Sequence, residues 1–295
     1  MLRQKLISDE QLAAQVKLAI DEDVLTGDIT ASLISNEDEV IADLFSRELA
    51  ILCGQDWVNQ TFQQIDPNVK INWQVNDGDE IRPDQIVCTF AGSAQSILTA
   101  ERTAINFLQT LSGTASETGK FVDAISKTAT QILDTRKTIP GLRLAQKYAV
   151  SCGGGMNHRI GLYDMILIKE NHIKAAGSVE QALTLAKNKI TNEIMDDTFP
   201  IEIEVETLQE LHDALNTGAK RILLDNMSND TLIEAVKIND SFSKENDTEA
   251  AKLEASGNVS LETIKEIAET GVDFISIGAI TKHLTAVDFS LRFRS

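Results

Sequence analysis

From about residue 113, short apolar runs alternate with amphipathic segments, and this alternation limits the possible folds most strongly. Segments 178–186 and 208–215 have helical spacing, and Gly218 and Gly271 are typical of helix ends. Strands that alternate with helices predict a parallel sheet with helical crossovers, with room for one or two further strands. The six apolar runs read as buried strands are residues 132–135, 165–169, 201–205, 221–225, 252–256 and 274–278.

Each apolar run stops at polar or small residues. In a parallel α/β barrel these ends meet at one mouth, where active sites are built. A doubly wound sheet would gather them along one edge. A charged residue can end any strand, but six such ends in succession indicate a shared site. The ends are residues 134–136, 169–171, 204, 225–226, 254–257 and 278.

Two small loops come late in the strand series. Ser256-Gly257-Asn258 and Ile277-Gly278-Ala279 follow the last two predicted strands. Glycine lets a backbone approach an anion closely, and loops in these positions of a barrel often bind phosphate through N–H groups. Together they favour a phosphate site.

The first part of the chain has a different pattern. Ser8 and Gln11 form a capping-box pattern before apolar residues at helical spacing. Strand character follows at residues 40–53, 69–75 and 86–90, and a helix is predicted from about 93 to 111. Strands followed by a helix predict a small α+β domain that ends near residue 112.

The charge distribution favours a small anionic ligand. The net charge of −18 argues against nucleic acid or an anionic membrane as a partner. Residues 134–174 nevertheless contain seven Lys/Arg and three Asp/Glu, a local net charge of +4. Three scattered cysteines are too few for a disulfide framework or a metal site, which predicts a cytoplasmic protein. Cys152 lies in the basic segment, but packing explains it best.

The candidate residues have a shared chemistry. Arg136 and Arg159 can each grip a carboxylate in a two-point fork. Glu204 and Asp225 suit ribose hydroxyls or a hydrated Mg²⁺. The residues alone therefore predict an enzyme that handles a phosphorylated sugar and a carboxylated partner, and they leave the reaction open.

The motifs resemble those of the quinolinate phosphoribosyltransferases almost from end to end. DTRKT followed by HRxGLxDxxLIKxNH is the most specific combination. The matching motifs are GDIT (27–30), ERTAINFLQTLSG (101–113), DTRKTIPGLR (134–143), GGGMNHRIGLYDMILIKENH (153–172), EIEVETL (202–208), LLDNM (223–227), EASGNV (254–259) and GVDFISIGAITKH (271–283).

The resemblance implies a reaction and a fold. In this family, the ring nitrogen of quinolinate attacks phosphoribosyl pyrophosphate with Mg²⁺ present. Pyrophosphate and CO₂ leave, and nicotinate mononucleotide forms for de novo NAD synthesis. The implied fold is an N-terminal α/β sandwich (1–112), an incomplete barrel of about seven strands (113–280) and a tail (281–295) that returns to the first domain. The implied assembly is a homodimer in which the N-terminal domain closes the partner's site.

The resemblance also implies residue roles. Arg136, His158 and Arg159 would bind quinolinate, together with Arg102 from the opposite subunit, and Thr135 belongs to the same binding motif. Lys137 and Lys169 would face phosphoribosyl pyrophosphate or the second carboxylate. Glu204 and Asp225 would face the ribose and, indirectly, the metal. The 5′-phosphate would be held by Ser256, Gly257, Asn258, Ile277, Gly278 and Ala279. Asn258 stands where some relatives carry Gly, and Asn tolerates left-handed backbone well.

Some alternatives stay open. Glu202, Glu204 and Glu206 share one strand face, and Glu204 is chosen on the family motif alone. His158 can act as a polar contact, a proton shuttle or a core residue, and His172 is interpreted as structural. Lys169 at a strand end can also form a Schiff base, which would make the protein a lyase. A non-catalytic relative that binds an anion is the third hypothesis.

Overall fold

The computed structural model describes residues 6–35, 37–194, 196 and 198–294. The predicted domains follow one another along the chain, whereas the compact units are built from separate stretches of it. Within the described residues, no helix is long and apolar enough to cross a membrane. The first unit comprises Met1–Gly119, Thr138–Gly155 and Ile280–Ser295, and the second comprises Lys120–Lys137 and Met156–Ala279.

The secondary structure mixes strands and helices throughout. The strands are β1 (Glu39–Ser46), β2 (Ala50–Ile51), β3 (Lys70–Trp73), β4 (Glu80–Ile81), β5 (Ile86–Ser93), β6 (Gln131–Leu133), β7 (Ile166–Ile168), β8 (Ile201–Val205), β9 (Arg221–Asp225), β10 (Lys252–Ser256), β11 (Phe274–Ser276) and β12 (Phe289–Phe293). The α-helices are α1 (Asp9–Asp23), α2 (Gln55–Ile65), α3 (Ala94–Ala124), α4 (Arg143–Cys152), α5 (Glu170–Ala176), α6 (Val179–Lys189), α7 (Leu208–Asn216), α8 (Asn229–Asn246), α9 (Ile264–Glu269) and α10 (Ala279–Lys282). A 3₁₀ helix (Ala31–Leu33) and a π-helix (Ile190–Ile194) complete the set.

Helix α1 begins where the capping pattern predicts. The Ser8 hydroxyl accepts the Gln11 N–H at 3.2 Å, and the Gln11 side chain accepts the Ser8 N–H at 3.1 Å. These reciprocal bonds satisfy two amide donors at the helix start. Leu12, Val16 and Ile20 are buried on one helical face.

The first unit contains an antiparallel sheet in the order β12-β1-β5-β3. Leu44 of β1 and Phe90 of β5 pack against Phe62 of α2 and Leu108 of α3 in one apolar core. The Phe62 and Phe90 rings stack with centroids 4.5 Å apart. The C-terminal strand β12 pairs with β1 and forms the edge of this sheet. A sheet covered by helices confirms the predicted N-terminal α/β sandwich.

Helix α3 is longer than predicted. A helix was predicted from about residue 93 to 111, with a new pattern from about Gly113. The structure continues the helix to Ala124. A Cβ on Gly113 would lie 2.2 Å from the Thr285 carbonyl oxygen, and one on Gly119 would lie 2.5 Å from Ile51 Cδ1. Both glycines therefore permit close packing, and the predicted end of the helix was wrong.

The second unit contains a parallel sheet in the order β6-β11-β10-β9-β8-β7. All six strands predicted from the apolar runs are present, which confirms the parallel-sheet fold class. About seven strands were expected. The described residues contain these six strands and an isolated parallel bridge between Leu133 and Met156. The edge strands β6 and β7 do not pair with each other in the described residues, as in an incomplete barrel.

Helix α2 is capped from a distant loop. Its N-cap residue, Gly54, has no side chain and a φ of +125°. Asp77 replaces the missing cap: its Oδ1 accepts the N–H groups of Gly54 at 2.9 Å and Gln55 at 3.2 Å. Its Oδ2 accepts the hydroxyl of Tyr148 at 2.9 Å. Burial nevertheless raises the pKa of Asp77 to about 6.

Substitution of Asp77 tests this cap. Asp77→Ala leaves two amide groups and one hydroxyl without their acceptor, and should lower the free energy of unfolding by about 3 kcal/mol. Urea unfolding at neutral pH measures the change. Glu22→Ala, on the exposed end of α1, is the control and should stay within about 0.5 kcal/mol of the wild type. A loss at Asp77 no larger than that of the control would contradict the capping role.

Candidate active site

One face of the parallel sheet carries polar side chains at successive levels. The register pairs Glu204 with Leu223 and Ser256 with Asp225, so every second residue of neighbouring strands shares this face. The opposite face carries apolar residues such as Ile203 and Ile222, which have no exposed surface. The polar members of the shared face are Glu202 and Glu204 on β8, Arg221 and Asp225 on β9, and Glu254 and Ser256 on β10.

The loops after β6 and β11 lie against each other. A Cβ on Gly278 would fall 2.8 Å from Lys137 Cδ and 3.5 Å from Thr135 Oγ1. The Thr135 hydroxyl accepts the Lys137 N–H at 3.0 Å, and the Ile277 N–H donates to the Leu133 carbonyl at 2.9 Å. The DTRK motif and the Ile-Gly-Ala loop are therefore brought together, as expected for strand ends of one sheet.

The loops after β9 and β10 also meet. The Asn226 N–H donates to the Ser256 carbonyl at 2.9 Å, and the Asn226 side chain donates to Asp225 Oδ2 at 2.6 Å. Gly257 has a φ of +109°, and a Cβ there would fall 2.2 Å from Asn226 Oδ1. Asn258 adopts a left-handed backbone with a φ of +47°. Only glycine fits position 257, and Asn258 takes the left-handed conformation that its side chain tolerates.

Lys169 and Glu204 form an ion pair across two neighbouring strands. The Lys169 ammonium contacts Glu204 Oε2, and the Lys169 side chain is about half exposed. The backbone N–H of Lys169 donates to Nδ1 of His172 at 2.9 Å. His172 thus stabilises the turn from β7 into α5, which agrees with its structural interpretation.

His158 lies buried beside two carboxylates. Its Nε2 is 2.6 Å from Glu202 Oε2 and 3.5 Å from Glu254 Oε2. Its backbone N–H donates to Asp134 Oδ1 at 2.9 Å. Arg221 holds both acids, with Nε 3.2 Å from Glu202 Oε1 and Nη2 3.1 Å from Glu254 Oε2. We call His158, Glu202, Arg221 and Glu254 the inner cluster.

The two acids of the inner cluster titrate in opposite directions. Burial, and after it the charge of Glu202, raises the pKa of Glu254 to about 7. Burial also acts to raise the pKa of Glu202, but the hydrogen bond and charge of His158 and the charge of Arg221 outweigh it. The pKa of Glu202 is therefore lowered, and Glu202 is the ionised partner of the two.

Arg159 is held on the same side of the second unit. Burial lowers the pKa of Arg159, and the positive charge of Arg136 lowers it further. Asp164 orders the loop that follows, because its carboxylate accepts the N–H groups of Ile160 at 2.7 Å and Gly161 at 2.9 Å. Two guanidinium groups within electrostatic range of each other suit a ligand with more than one negative charge.

Comparison of the sequence with known protein families agrees with the geometry of this site. Residues 28–112 match the N-terminal domain, and residues 114–292 the C-terminal domain, of quinolinate phosphoribosyl transferase. The chain belongs to the quinolinate phosphoribosyltransferase family. This confirms the family resemblance of its motifs.

Named relatives of this family align over most of the chain. The nicotinate-nucleotide pyrophosphorylase of Francisella tularensis has a solved structure with 45% identity, a TM-score of 0.91 and 98% coverage of both chains. A mitochondrial quinolinate phosphoribosyltransferase [decarboxylating] of Nicotiana tabacum is 41% identical over 94% of this chain and 80% of its own. A chloroplastic nicotinate-nucleotide pyrophosphorylase [carboxylating] of Oryza sativa is 38% identical over 95% and 77%.

In this family member, most of the predicted site residues lie in the second unit. Arg102 is the exception: it is exposed on α3 in the first unit. Sequence reasoning chose Glu204 over Glu202 and gave no site role to Arg221 or Glu254. The missed signal was a set of charged residues within or at the start of apolar strands, which the register places on one face of β8, β9 and β10.

Two groups of potential metal ligands occur among the described residues of this family member. Cys53, Asp77 and Cys152 form one group, but both oxygens of Asp77 already accept hydrogen bonds. His158 and the two acids of the inner cluster form the other, and there the guanidinium of Arg221 already bonds to both acids. Glu204 and Asp225, the predicted magnesium-side residues, offer oxygen ligands on neighbouring strands.

The raised pKa of Glu254 predicts a pH effect on stability. The folded protein keeps a proton on Glu254 up to about pH 7, whereas an unfolded glutamate loses it near 4.5. This contribution to stability is therefore present below pH 4.5 and is lost as the pH rises through 7. Glu254→Gln removes it, so the variant should gain on the order of 2 kcal/mol relative to the wild type between pH 5 and pH 8.

Denaturant unfolding at several pH values measures this difference. Glu234→Gln, which removes an exposed carboxylate on α8, is the control and should follow the wild type at every pH. Parallel curves for Glu254→Gln and the wild type would contradict the assigned pKa.

Proposed function

We propose that the protein transfers the phosphoribosyl group of phosphoribosyl pyrophosphate to quinolinate, with loss of CO₂. The products are nicotinate mononucleotide and pyrophosphate, as in de novo NAD synthesis. The observation that carries the proposal is the set of cations at the ends of β6 and β7 and in the segment between them, in a chain that matches the family over both of its domains. The named relatives are decarboxylating or carboxylating enzymes of this type.

The dicarboxylate is bound by charge-assisted hydrogen bonds. Arg136 and Arg159 each present a planar fork that fits a carboxylate, and His158 supplies a further polar contact. Quinolinate has two carboxylates on adjacent ring carbons, so it suits two nearby guanidinium groups. Binding of this dianion also offsets the electrostatic repulsion between the two arginines.

Transfer of the sugar places positive charge on the ribose. Glu204 and Asp225, on neighbouring strands, stabilise an oxocarbenium-like state electrostatically. Lys137 and Lys169 face oxygens of the departing pyrophosphate and offset its charge. The Lys169–Glu204 ion pair keeps one cation and one anion adjacent where opposite charges develop.

Loss of CO₂ needs no nucleophile from the protein. Once it bears ribose, the ring nitrogen is cationic and stabilises the electron pair left on C2 when the bond to the 2-carboxylate breaks and CO₂ leaves. A proton from solvent then adds to C2. The work of the protein is then mainly positioning and electrostatics. The Schiff-base alternative is not favoured, because Lys169 is ion-paired and about half exposed, whereas a Schiff-base lysine is typically desolvated in an apolar pocket.

The phosphate and magnesium sites are part of the proposal. The loops after β10 and β11, residues 256–258 and 277–279, bind the 5′-phosphate. The positive φ of Gly257 supports this role. The Ile277 N–H is already bound to Leu133, so the phosphate contacts come from its neighbours. Glu204 and Asp225 hold waters of a Mg²⁺ that, when bound, neutralises the pyrophosphate.

The assembly proposed is a homodimer with shared active sites. Arg102 of one subunit reaches the dicarboxylate bound by the other, and its exposure on α3 supports this role. A cytoplasmic location stays a prediction, since plant relatives are named chloroplastic or mitochondrial.

Incubation of the purified protein with quinolinate, phosphoribosyl pyrophosphate and Mg²⁺ tests the function. The wild type should release CO₂ and form nicotinate mononucleotide. Arg136→Ala should weaken quinolinate binding by about 3 kcal/mol, roughly 100-fold, because a carboxylate loses its fork partner. Calorimetry measures the affinity, and Arg82→Ala, an exposed arginine in the first unit, is the control. An inactive wild type, or unchanged binding by Arg136→Ala, would contradict the proposal.

Mixing of two inactive variants tests the shared site. Arg102→Ala and Arg159→Ala subunits, exchanged in equal amounts, form mixed dimers that contain one intact site each. Random exchange should restore about a quarter of the wild-type activity. Mass spectrometry of subunits with different tags confirms that exchange has occurred. Mixed dimers without activity would contradict a site built from two subunits.

A further inference from the structure

Glu202 and Glu254 of the inner cluster lie below the strand ends on the polar face of the parallel sheet. Glu202 precedes Glu204 by two residues on β8, and Glu254 precedes Ser256 by two on β10. Glu202 is 0% exposed and Glu254 is 1% exposed. Two acids are rarely buried so deeply without a role or a strict charge balance.

The charges of the inner cluster do not balance without a proton. Arg221 supplies one positive charge against the two carboxylates, and a buried net negative charge is costly. Glu254 Oε1 is buried with no hydrogen-bond partner among the described residues, which also disfavours ionisation of both acids. Glu254 therefore keeps its proton up to about pH 7, while Glu202 is ionised.

Arg221 bonds to the two acids of the inner cluster and leaves one oxygen of Glu202 for His158. Its guanidinium bonds to one oxygen of each carboxylate and lies 4.9 Å from the centroid of the Phe274 ring. Oε2 of Glu202 is left to meet the imidazole at 2.6 Å. The other charged groups around the cluster are Asp134, which binds the His158 backbone N–H, and Arg159, whose charge interacts with Glu202.

A fixed imidazole suits a ligand carboxylate. The contact of Nε2 with Glu202 holds the ring in one orientation, so that a bound carboxylate meets a polar group that is already in place. This argument depends on the proposed function, in which His158 contacts quinolinate.

We propose that Glu202 and Glu254 are positioning residues that act through His158. Together with Arg221 they fix the imidazole ring in the orientation in which it meets a carboxylate of the pyridine dicarboxylate. Neither acid touches the substrate itself. The binding of quinolinate therefore depends on residues that lie below the site.

A double-mutant cycle tests this dependence. The proteins are the wild type, Glu202→Gln, His158→Asn and the double variant, and calorimetry measures the quinolinate affinity of each. Glu202→Gln should bind at least roughly 10-fold more weakly, because it loses the charged acceptor that fixes the imidazole. The double variant should bind no more weakly than His158→Asn, because coupled residues are not additive. The KM for phosphoribosyl pyrophosphate should change less than about threefold in Glu202→Gln, which a merely structural defect would not spare.

Control variants distinguish failure of this inference from failure of the proposed function. Glu234→Gln removes an exposed carboxylate from α8 and should bind like the wild type. If Glu202→Gln does not fold, Glu254→Gln replaces it in the same cycle with the same expected lack of additivity. Wild-type affinity in these variants, or losses that multiply in the double variant, would overturn this inference alone. Absence of quinolinate binding by the wild type would overturn the proposed function as well.

Discussion

The burial of charge on one face of the parallel sheet is the constraint on which the rest of the structure depends. Apolar side chains on the opposite face of the sheet lie in the core, while the polar face holds acids that solvent does not reach. Such acids persist only where cations or a proton balance them. Arg221 and the proton kept by Glu254 provide that balance deep in the sheet, and Lys169 provides it for Glu204 at the strand end.

This balance explains how an acidic protein can bind anionic ligands. The net charge of the chain is −18, yet the strand-end loops place several cations close to one another. The buried acids hold some of these groups in fixed directions, so little rearrangement is needed when a ligand arrives. Preorganised charges of this kind contribute more to binding and catalysis than flexible surface charges do.

The sequence predicted the elements whose signals are local. The capping box of Ser8 and the six apolar runs reappear as α1 and β6–β11, because caps and strand periodicity depend on near neighbours. The extent of α3 was missed, since Gly113 and Gly119 serve packing contacts with residues far along the chain. Glu202, Arg221 and Glu254 received no role for the same reason: they lie on separate strands, and only the sheet register reveals that they meet. The fourth member of the inner cluster, His158, was predicted from its motif.

A crystal structure with bound quinolinate is the decisive measurement. The two carboxylates should lie within hydrogen-bonding distance of the guanidinium groups of Arg136 and Arg159, beyond the ends of β6 and β7. The imidazole of His158 should face one carboxylate while its Nε2 stays on Glu202. A dicarboxylate bound away from these strand ends, or a His158 ring turned away from Glu202 in the complex, would contradict it.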